Sequence, residues 1–183
     1  PFDPQQGVQS NASVSFSDVF SGAICELAAH DSAICAITAA MDIGTGLDRF
    51  RKTYPDRFFD VGIAEGHAVT FAGGLAAQGM KPVFAVYSTF LQRAYDQILH
   101  DAALQHVNVT LAVDRAGIVG NDGETHQGIF DVSFLRTVPE ISIYSPTYFE
   151  EMKPALARAI DEPCVSVVRY PRGKEGFRPD GFV

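Results

Sequence analysis

The chain has 183 residues, 46% of them hydrophobic and 20% charged, which suits the core of one ordinary globular domain and excludes a disordered or fibrous chain. With 14 Lys and Arg against 22 Asp and Glu, its formal charge of -8 leaves no electrostatic footprint for nucleic acid or an anionic membrane, so any phosphate must be held by a local site. The cysteines Cys25, Cys35 and Cys164 lie far apart without paired spacing, so neither a zinc knuckle nor a disulfide framework is expected, and a reducing cytoplasm fits.

Residues 1–15 are polar and lack a charged start followed by an apolar stretch, so a linker or extended segment is expected there rather than a signal peptide. The chain opens without Met on Pro1-Phe2-Asp3-Pro4 and closes on Gly181-Phe182-Val183, and it reads as a piece of something longer. Phe16–His30 carries apolar residues at helical spacing behind serines suited to cap it. Residues 32–39 then read as a strand, and 58–63 as a second, short one.

Residues 64–79 form a helix rich in small residues (Ala68, Ala72, Gly73, Gly74, Ala76 and Ala77) that can approach its neighbours closely, with Gly79 as its stop. Lys81–Tyr87 is a strand, 89–106 a long helix, and 107–113 an apolar strand of the kind buried on both faces. The Gly-, Asp- and Asn-rich loop 114–128 is long enough to suggest function. A short helix at 129–136, a strand at 141–144, a helix at 148–160 and a last strand at 164–170 complete the reading.

Six strands with interleaved helices predict an open, mostly parallel α/β sheet with helices on both faces. Ligands are then expected at the carboxyl ends of the strands. Glu65 follows one such end, the run Tyr87 to Phe90 another, Arg115 a third and Arg172 the last. Glu65 stands out because its neighbours are small and apolar. A buried acid without a cation is costly unless it is neutral or hydrogen-bonded to a group that needs it, and a ligand nitrogen would serve.

Neither Gly-x-Gly-x-x-Gly after the first strand nor a Walker loop is present. Five ordered motifs are: Asp56-Arg57-Phe58-Phe59-Asp60-Val61-Gly62-Ile63-Ala64-Glu65; Tyr87-Ser88-Thr89-Phe90-Leu91-Gln92-Arg93-Ala94-Tyr95-Asp96-Gln97; Asp114-Arg115-Ala116-Gly117-Ile118-Val119-Gly120; Thr125-His126-Gln127-Gly128; and Arg169-Tyr170-Pro171-Arg172-Gly173. Together they closely resemble the 1-deoxy-D-xylulose 5-phosphate synthase family of thiamine-diphosphate enzymes. The resemblance covers about residues 16–173 and only that family's central, pyrimidine-binding domain. It implies a six-stranded parallel sheet and a linker from 174–183 to a C-terminal domain.

The resemblance implies that Glu65 faces the N1′ nitrogen of the cofactor's aminopyrimidine and activates it by proton exchange, and that Phe90 stacks on that ring. Tyr87 and Arg93 then line the active site near the substrate. Arg115 and Arg172 grip the acceptor phosphate, a task suited to planar guanidinium forks. Asp122 is implied as a substrate-binding neighbour, and His126 as a proton relay to the acceptor aldehyde. Each has an ordinary alternative: a helix-start acid answering the dipole, a core Phe, surface ion pairs and a solvated loop histidine. His67 is given a packing or supporting role, and His30, His100 and His106 a structural one, with no metal trio.

The implied reaction decarboxylates pyruvate and condenses the two-carbon unit with D-glyceraldehyde 3-phosphate to give 1-deoxy-D-xylulose 5-phosphate. The family's diphosphate and magnesium ligands lie on another domain marked by Gly-Asp-Gly, a tripeptide absent here, so this chain alone is expected to be inactive. Family members are homodimers that feed isoprenoid, thiamine and pyridoxal synthesis. One departure is Gly66, where a larger polar residue, commonly Gln, is expected. The rival readings are a domain of another transketolase-like enzyme and a non-catalytic α/β module that senses an anion through Arg115 and Arg172.

Overall fold

The computed structural model describes residues 2–3, 7–8 and 13–179. Of the expected N-terminal linker, residues 1, 4–6 and 9–12 lie outside the described residues, as do 180–183 of the expected C-terminal one. A two-residue strand β1 (Phe2–Asp3) pairs antiparallel with β2 (Gly7–Val8).

The main sheet contains β3 (Ile34–Thr38), β4 (Phe58–Asp60), β5 (Lys81–Tyr87), β6 (Thr110–Asp114), β7 (Ser142–Tyr144) and β8 (Ser166–Arg169). Their order is β4-β3-β5-β6-β8-β7 and every pairing is parallel, as the six-strand reading expects. Every residue of β3 and of β6 is buried, the signature of central strands covered on both faces.

Two apolar layers provide that cover. Helices α1 (Phe16–His30) and α7 (Phe149–Ile160) pack on one face through Phe16, Phe20, Ile24, Met152 and Leu156. On the other, α3 (Glu65–Ala77) contributes Ala68, Val69 and Ala72. The serine run caps α1 as expected: Ser15 Oγ accepts from the Asp18 N–H at 3.2 Å, and Asp18 Oδ2 accepts from the Ser15 N–H at 2.8 Å. Gly79 takes a φ of +86° just after α3, in the left-handed region that ends helices.

Two expectations need correction. The long helix at 89–106 is instead a composite of α4 (Ser88–Leu91), a 3-10 turn (Gln92–Ala94), α5 (Tyr95–Gln97), a π-helical turn (Ile98–Ala102) and a final 3-10 turn (Ala103–Gln105). Close packing accompanies the widened turn, since a Cβ on Gly73 of α3 would stand 2.8 Å from the Asp101 carbonyl oxygen. Helical periodicity cannot show such a register change.

The second concerns α2 (Asp48–Thr53), which the sequence reading leaves inside a connection. It has no side-chain cap and is too short to show periodicity; burial of Phe50 against α1 and Tyr54 holds it. The short helix expected at 129–136 is α6 (Asp131–Leu135), tied to β8 by the Arg169 Nε–Asp131 bond of 2.8 Å.

A backbone bond from the Phe16 N–H to the Gly173 carbonyl, 2.8 Å, brings the two ends of this unit together. Parallel strands put all their carboxyl ends on one edge, and there the chemistry-bearing residues converge.

Candidate active site

Glu65 is the first residue of α3 and only 3% exposed. It opens onto a cavity of about 250 Å³ lined by Ala39, Ala40, Met41, Ile63, Phe90 and Arg93. One wall is shaped by Asp60 at the end of β4, whose Oδ1 accepts from the backbone N–H groups of Ala40 (2.8 Å) and Gly62 (2.9 Å). Both of those residues hold left-handed φ values, +59° and +71°.

Glu65 is buried as its neighbours predict, and the structure gives it a cation as well. Arg93 donates from Nη1 to Glu65 Oε1 at 2.7 Å, and its guanidinium carbon lies 4.9 Å from the centroid of the Phe90 ring. The sequence reading lets Arg93 line the site, and the fold aims it at the carboxylate. The composite helix makes this possible by bringing the Arg93 turn against the start of α3.

An aromatic row leads away from this cavity. Phe90 stacks on Tyr87 with centroids 5.8 Å apart and meets the His126 ring edge-on at 5.3 Å. The Arg115 guanidinium lies over the far side of the row, 3.6 Å from the Tyr87 centroid. His126 Nδ1 is bonded to Thr125 Oγ1 at 2.8 Å. Gly44 makes room for the row, because a Cβ there would stand 1.8 Å from the Tyr87 hydroxyl oxygen.

Arg115 and Arg172 line a second, polar cavity of about 420 Å³ together with Ser15, Ser17, Ser21 and Asp18. Asp122 stands between the two arginines. Its Oδ2 lies 2.6 Å from Arg115 Nε, though that N–H points off the line, so the contact is an ion pair rather than a hydrogen bond. Its Oδ1 accepts from Arg172 Nη1. Arg115 Nη1 is buried without a hydrogen-bond partner among the described residues, which is costly unless something else binds there.

Arg115 is held in a left-handed conformation, φ +58°. Its N–H donates to its neighbour Asp114, whose Oδ1 accepts at 2.6 Å, and Gly128 packs on its carbonyl so closely that a Cβ there would lie 2.1 Å away. Burial pushes the Asp114 carboxyl up to about 6, opposed by the bonds from Ser17 and the Arg115 N–H. Desolvation likewise lowers the pKa of Arg115, and Asp122 works against that shift.

The loop 114–128 is tied together by its own contacts. Gly117 and Gly128 exchange backbone bonds of 2.7 and 2.8 Å, and Gln127 bonds the backbone of Val119 and Gly123. All eight residues singled out in the sequence therefore gather on one edge of the sheet. His67 lies apart, stacked on Phe71 at 6.1 Å. Among the described residues no group of His, Cys, Asp or Glu is arranged to hold a metal ion.

Sequence reasoning passed over Gly44, and it quoted Asp114 and Gly128 within motifs without giving either a role. Only Asp114 leaves a local trace, as a carboxylate ending an otherwise apolar strand.

Residues 12–176 match the family model described as the transketolase pyrimidine-binding domain. Among curated relatives, a 1-deoxy-D-xylulose-5-phosphate synthase from Caldanaerobacter subterraneus subsp. tengcongensis is 58% identical over 96% of this chain and 28% of its own length. One from Symbiobacterium thermophilum is 56% identical over 95% of this chain and 27% of its own. The chain thus spans somewhat over a quarter of the curated relatives it matches. Among solved structures, a split-gene transketolase described as an inactive beta4 tetramer aligns with a TM-score of 0.78 at 26% identity, covering 92% of this chain and 56% of that one. A transketolase from Campylobacter jejuni aligns at 0.80 with 20% identity, over 91% of this chain and 27% of that one, a likeness of fold alone. The chain belongs to the transketolase pyrimidine-binding domain family, and within it resembles the corresponding stretch of the 1-deoxy-D-xylulose-5-phosphate synthases.

Proposed function

We propose that this domain is the pyrimidine-binding part of a thiamine-diphosphate-dependent transferase that decarboxylates pyruvate and condenses the two-carbon unit with D-glyceraldehyde 3-phosphate to give 1-deoxy-D-xylulose 5-phosphate. The observation that carries the proposal is the buried Glu65 carboxylate in the lining of an apolar cavity, with the Phe90 ring in the same lining. A carboxylate, an aromatic face and aliphatic walls fit a heteroaromatic amine ring.

Thiamine diphosphate, when bound, supplies the electron sink for cleaving the bond to carbon dioxide. In this reading Glu65 shares a proton at its carboxylate oxygen with the ring nitrogen, Arg93 orients that carboxylate, and Phe90 presents its face to the ring. Arg115 and Arg172 bind the acceptor phosphate, with Asp122 spacing the two guanidiniums and Tyr87 supporting Arg115 from below. His126, edge-on to Phe90, delivers a proton to the acceptor oxygen.

The diphosphate and magnesium ligands are assigned to a companion domain, and the setting to a cytoplasmic homodimer; resemblance to the family supports these points. No helix among the described residues is long and apolar enough to cross a membrane. The test is to supply the full-length protein with pyruvate, D-glyceraldehyde 3-phosphate, thiamine diphosphate and magnesium. Formation of 1-deoxy-D-xylulose 5-phosphate with release of carbon dioxide is expected, and the 183-residue chain alone should form none. A different sugar product from the full-length protein would move the assignment to another transketolase-like enzyme.

A further inference from the structure

Asp114 is the last residue of β6, 1% exposed, and it touches no substrate-facing cavity directly. Its two carboxylate oxygens are both occupied from below the polar cavity. Oδ1 accepts from the Arg115 N–H at 2.6 Å, and Oδ2 accepts from Ser17 Oγ, in the first turn of α1, at 2.7 Å. No guanidinium pairs with it among the described residues, so a buried acid sits at a strand end where Asn would leave less charge to desolvate.

What Asp114 holds is the backbone of Arg115, and that backbone is strained. Arg115 is one of few non-glycine residues with positive φ, and in extended conformation its side chain would leave the Tyr87 face. The outgoing chain is fixed by the Ala116 N–H to the Tyr170 carbonyl, 3.0 Å, and by the Gly117–Gly128 pair. The incoming chain is held by the β6 ladder, with Asp114 in register with Tyr87 and the Tyr170 N–H on the Val113 carbonyl at 3.0 Å, and the Asp114 carboxylate adds the bond to the Arg115 N–H itself.

We propose that Asp114, itself braced by Ser17, is a positioning residue that sets the Arg115 guanidinium for an acceptor phosphate. The proposal deepens the functional reading above and rests on it for the identity of the ligand. Arg115 lines the polar cavity together with Arg172, which is where an acceptor phosphate would meet the guanidinium so positioned.

The test uses the full-length enzyme with two readouts, calorimetric titration with inorganic phosphate and steady-state kinetics. Asp114→Asn is expected to weaken phosphate binding and raise KM for D-glyceraldehyde 3-phosphate by roughly tenfold, leaving KM for pyruvate and kcat within about twofold. Ser17→Ala is expected to act in the same direction by roughly threefold, and it decides the matter if the Asn variant does not fold. In an Arg115→Ala background the Asn substitution should add almost nothing, because both changes remove the same contact.

Unchanged phosphate affinity in both variants, or undiminished effects in the Arg115→Ala background, overturns the proposal, as does a wild-type enzyme that binds no phosphate. A wild-type enzyme that binds phosphate but forms no 1-deoxy-D-xylulose 5-phosphate sinks the functional reading instead. The positioning role is then judged on the phosphate titration alone.

Discussion

Arg93 Nη1 lies 2.7 Å from Glu65 Oε1, joining a side chain that is 56% exposed to one that is 4% exposed. Both residues line the apolar cavity, and the guanidinium extends over Phe90. One arginine therefore compensates the buried acid and braces the aromatic ring beside it.

Replacing Glu65 by Gln should separate chemistry from folding. Gln keeps an acceptor for Arg93 but cannot take up the shared proton, so turnover by the full-length enzyme should fall about 100-fold or more. The urea midpoint of the chain should move little. Arg93→Met keeps the stem over Phe90 but leaves the acid unpaired, so it should cost stability of about 1–3 kcal/mol, measured by equilibrium unfolding.

Gly44→Ala would place a Cβ 1.8 Å from the Tyr87 hydroxyl oxygen and 2.9 Å from the ring carbon that bears it. The ring must tilt, which should loosen its stacking with Phe90 and Arg115 and cost about 1–3 kcal/mol. Adding Tyr87→Phe removes the worse of the two clashes. The double variant should recover part of the loss in the unfolding midpoint, and no recovery would mean that the loop itself, rather than the ring, bears the strain.

The stability of the chain should depend on pH through Asp114. Its carboxyl is raised from 3.8 to about 6 in the folded state, chiefly by burial, so between those values the native state binds more protons than the unfolded one. The contribution is fully present below pH 3.8 and is lost as pH rises through about 6. At about 1.4 kcal/mol per unit this term amounts to at most about 3 kcal/mol. Urea unfolding of wild type and Asp114→Asn from pH 4 to 8 checks it: the difference between their free energies should change across this window and level off above it.

Gly128→Ala should be among the most damaging single changes in the loop. Its Cβ would lie 2.1 Å from the Arg115 carbonyl oxygen and 2.9 Å from the Ala116 Cα, both backbone atoms that cannot swing aside. A loss of about 2–4 kcal/mol in unfolding free energy is expected, together with weaker phosphate binding by the full-length enzyme. Wild-type stability in this variant would show that the loop has room the structure does not suggest.

The alternation of apolar runs and helical stretches was enough to read an α/β sheet of six strands, because each strand and most helices announce themselves within a few residues. Helix α1, with its Ser15 cap, and β5 agree with that reading to the residue. The motifs likewise mark Glu65, Phe90, Arg115 and Arg172. Helix α2 and the broken segment 88–105 escaped it, since a short uncapped helix and a π-helical turn owe their form to Phe50 and Gly73 meeting residues distant in the chain.

Composition and periodicity thus determined by themselves the class of fold, the edge where a ligand would sit and the placing of Glu65, Tyr87 to Phe90, Arg115 and Arg172 along it, for these follow from local pattern and from the rule that parallel strands end together. The family resemblance marks Arg93, Asp122 and His126. Tertiary structure alone decided that Arg93 answers Glu65, that Asp122 stands between two arginines, and that Asp114 holds Arg115 left-handed over Tyr87. Those pairings depend on sheet register and on backbone approaches of a few ångströms, which no spacing along the chain encodes.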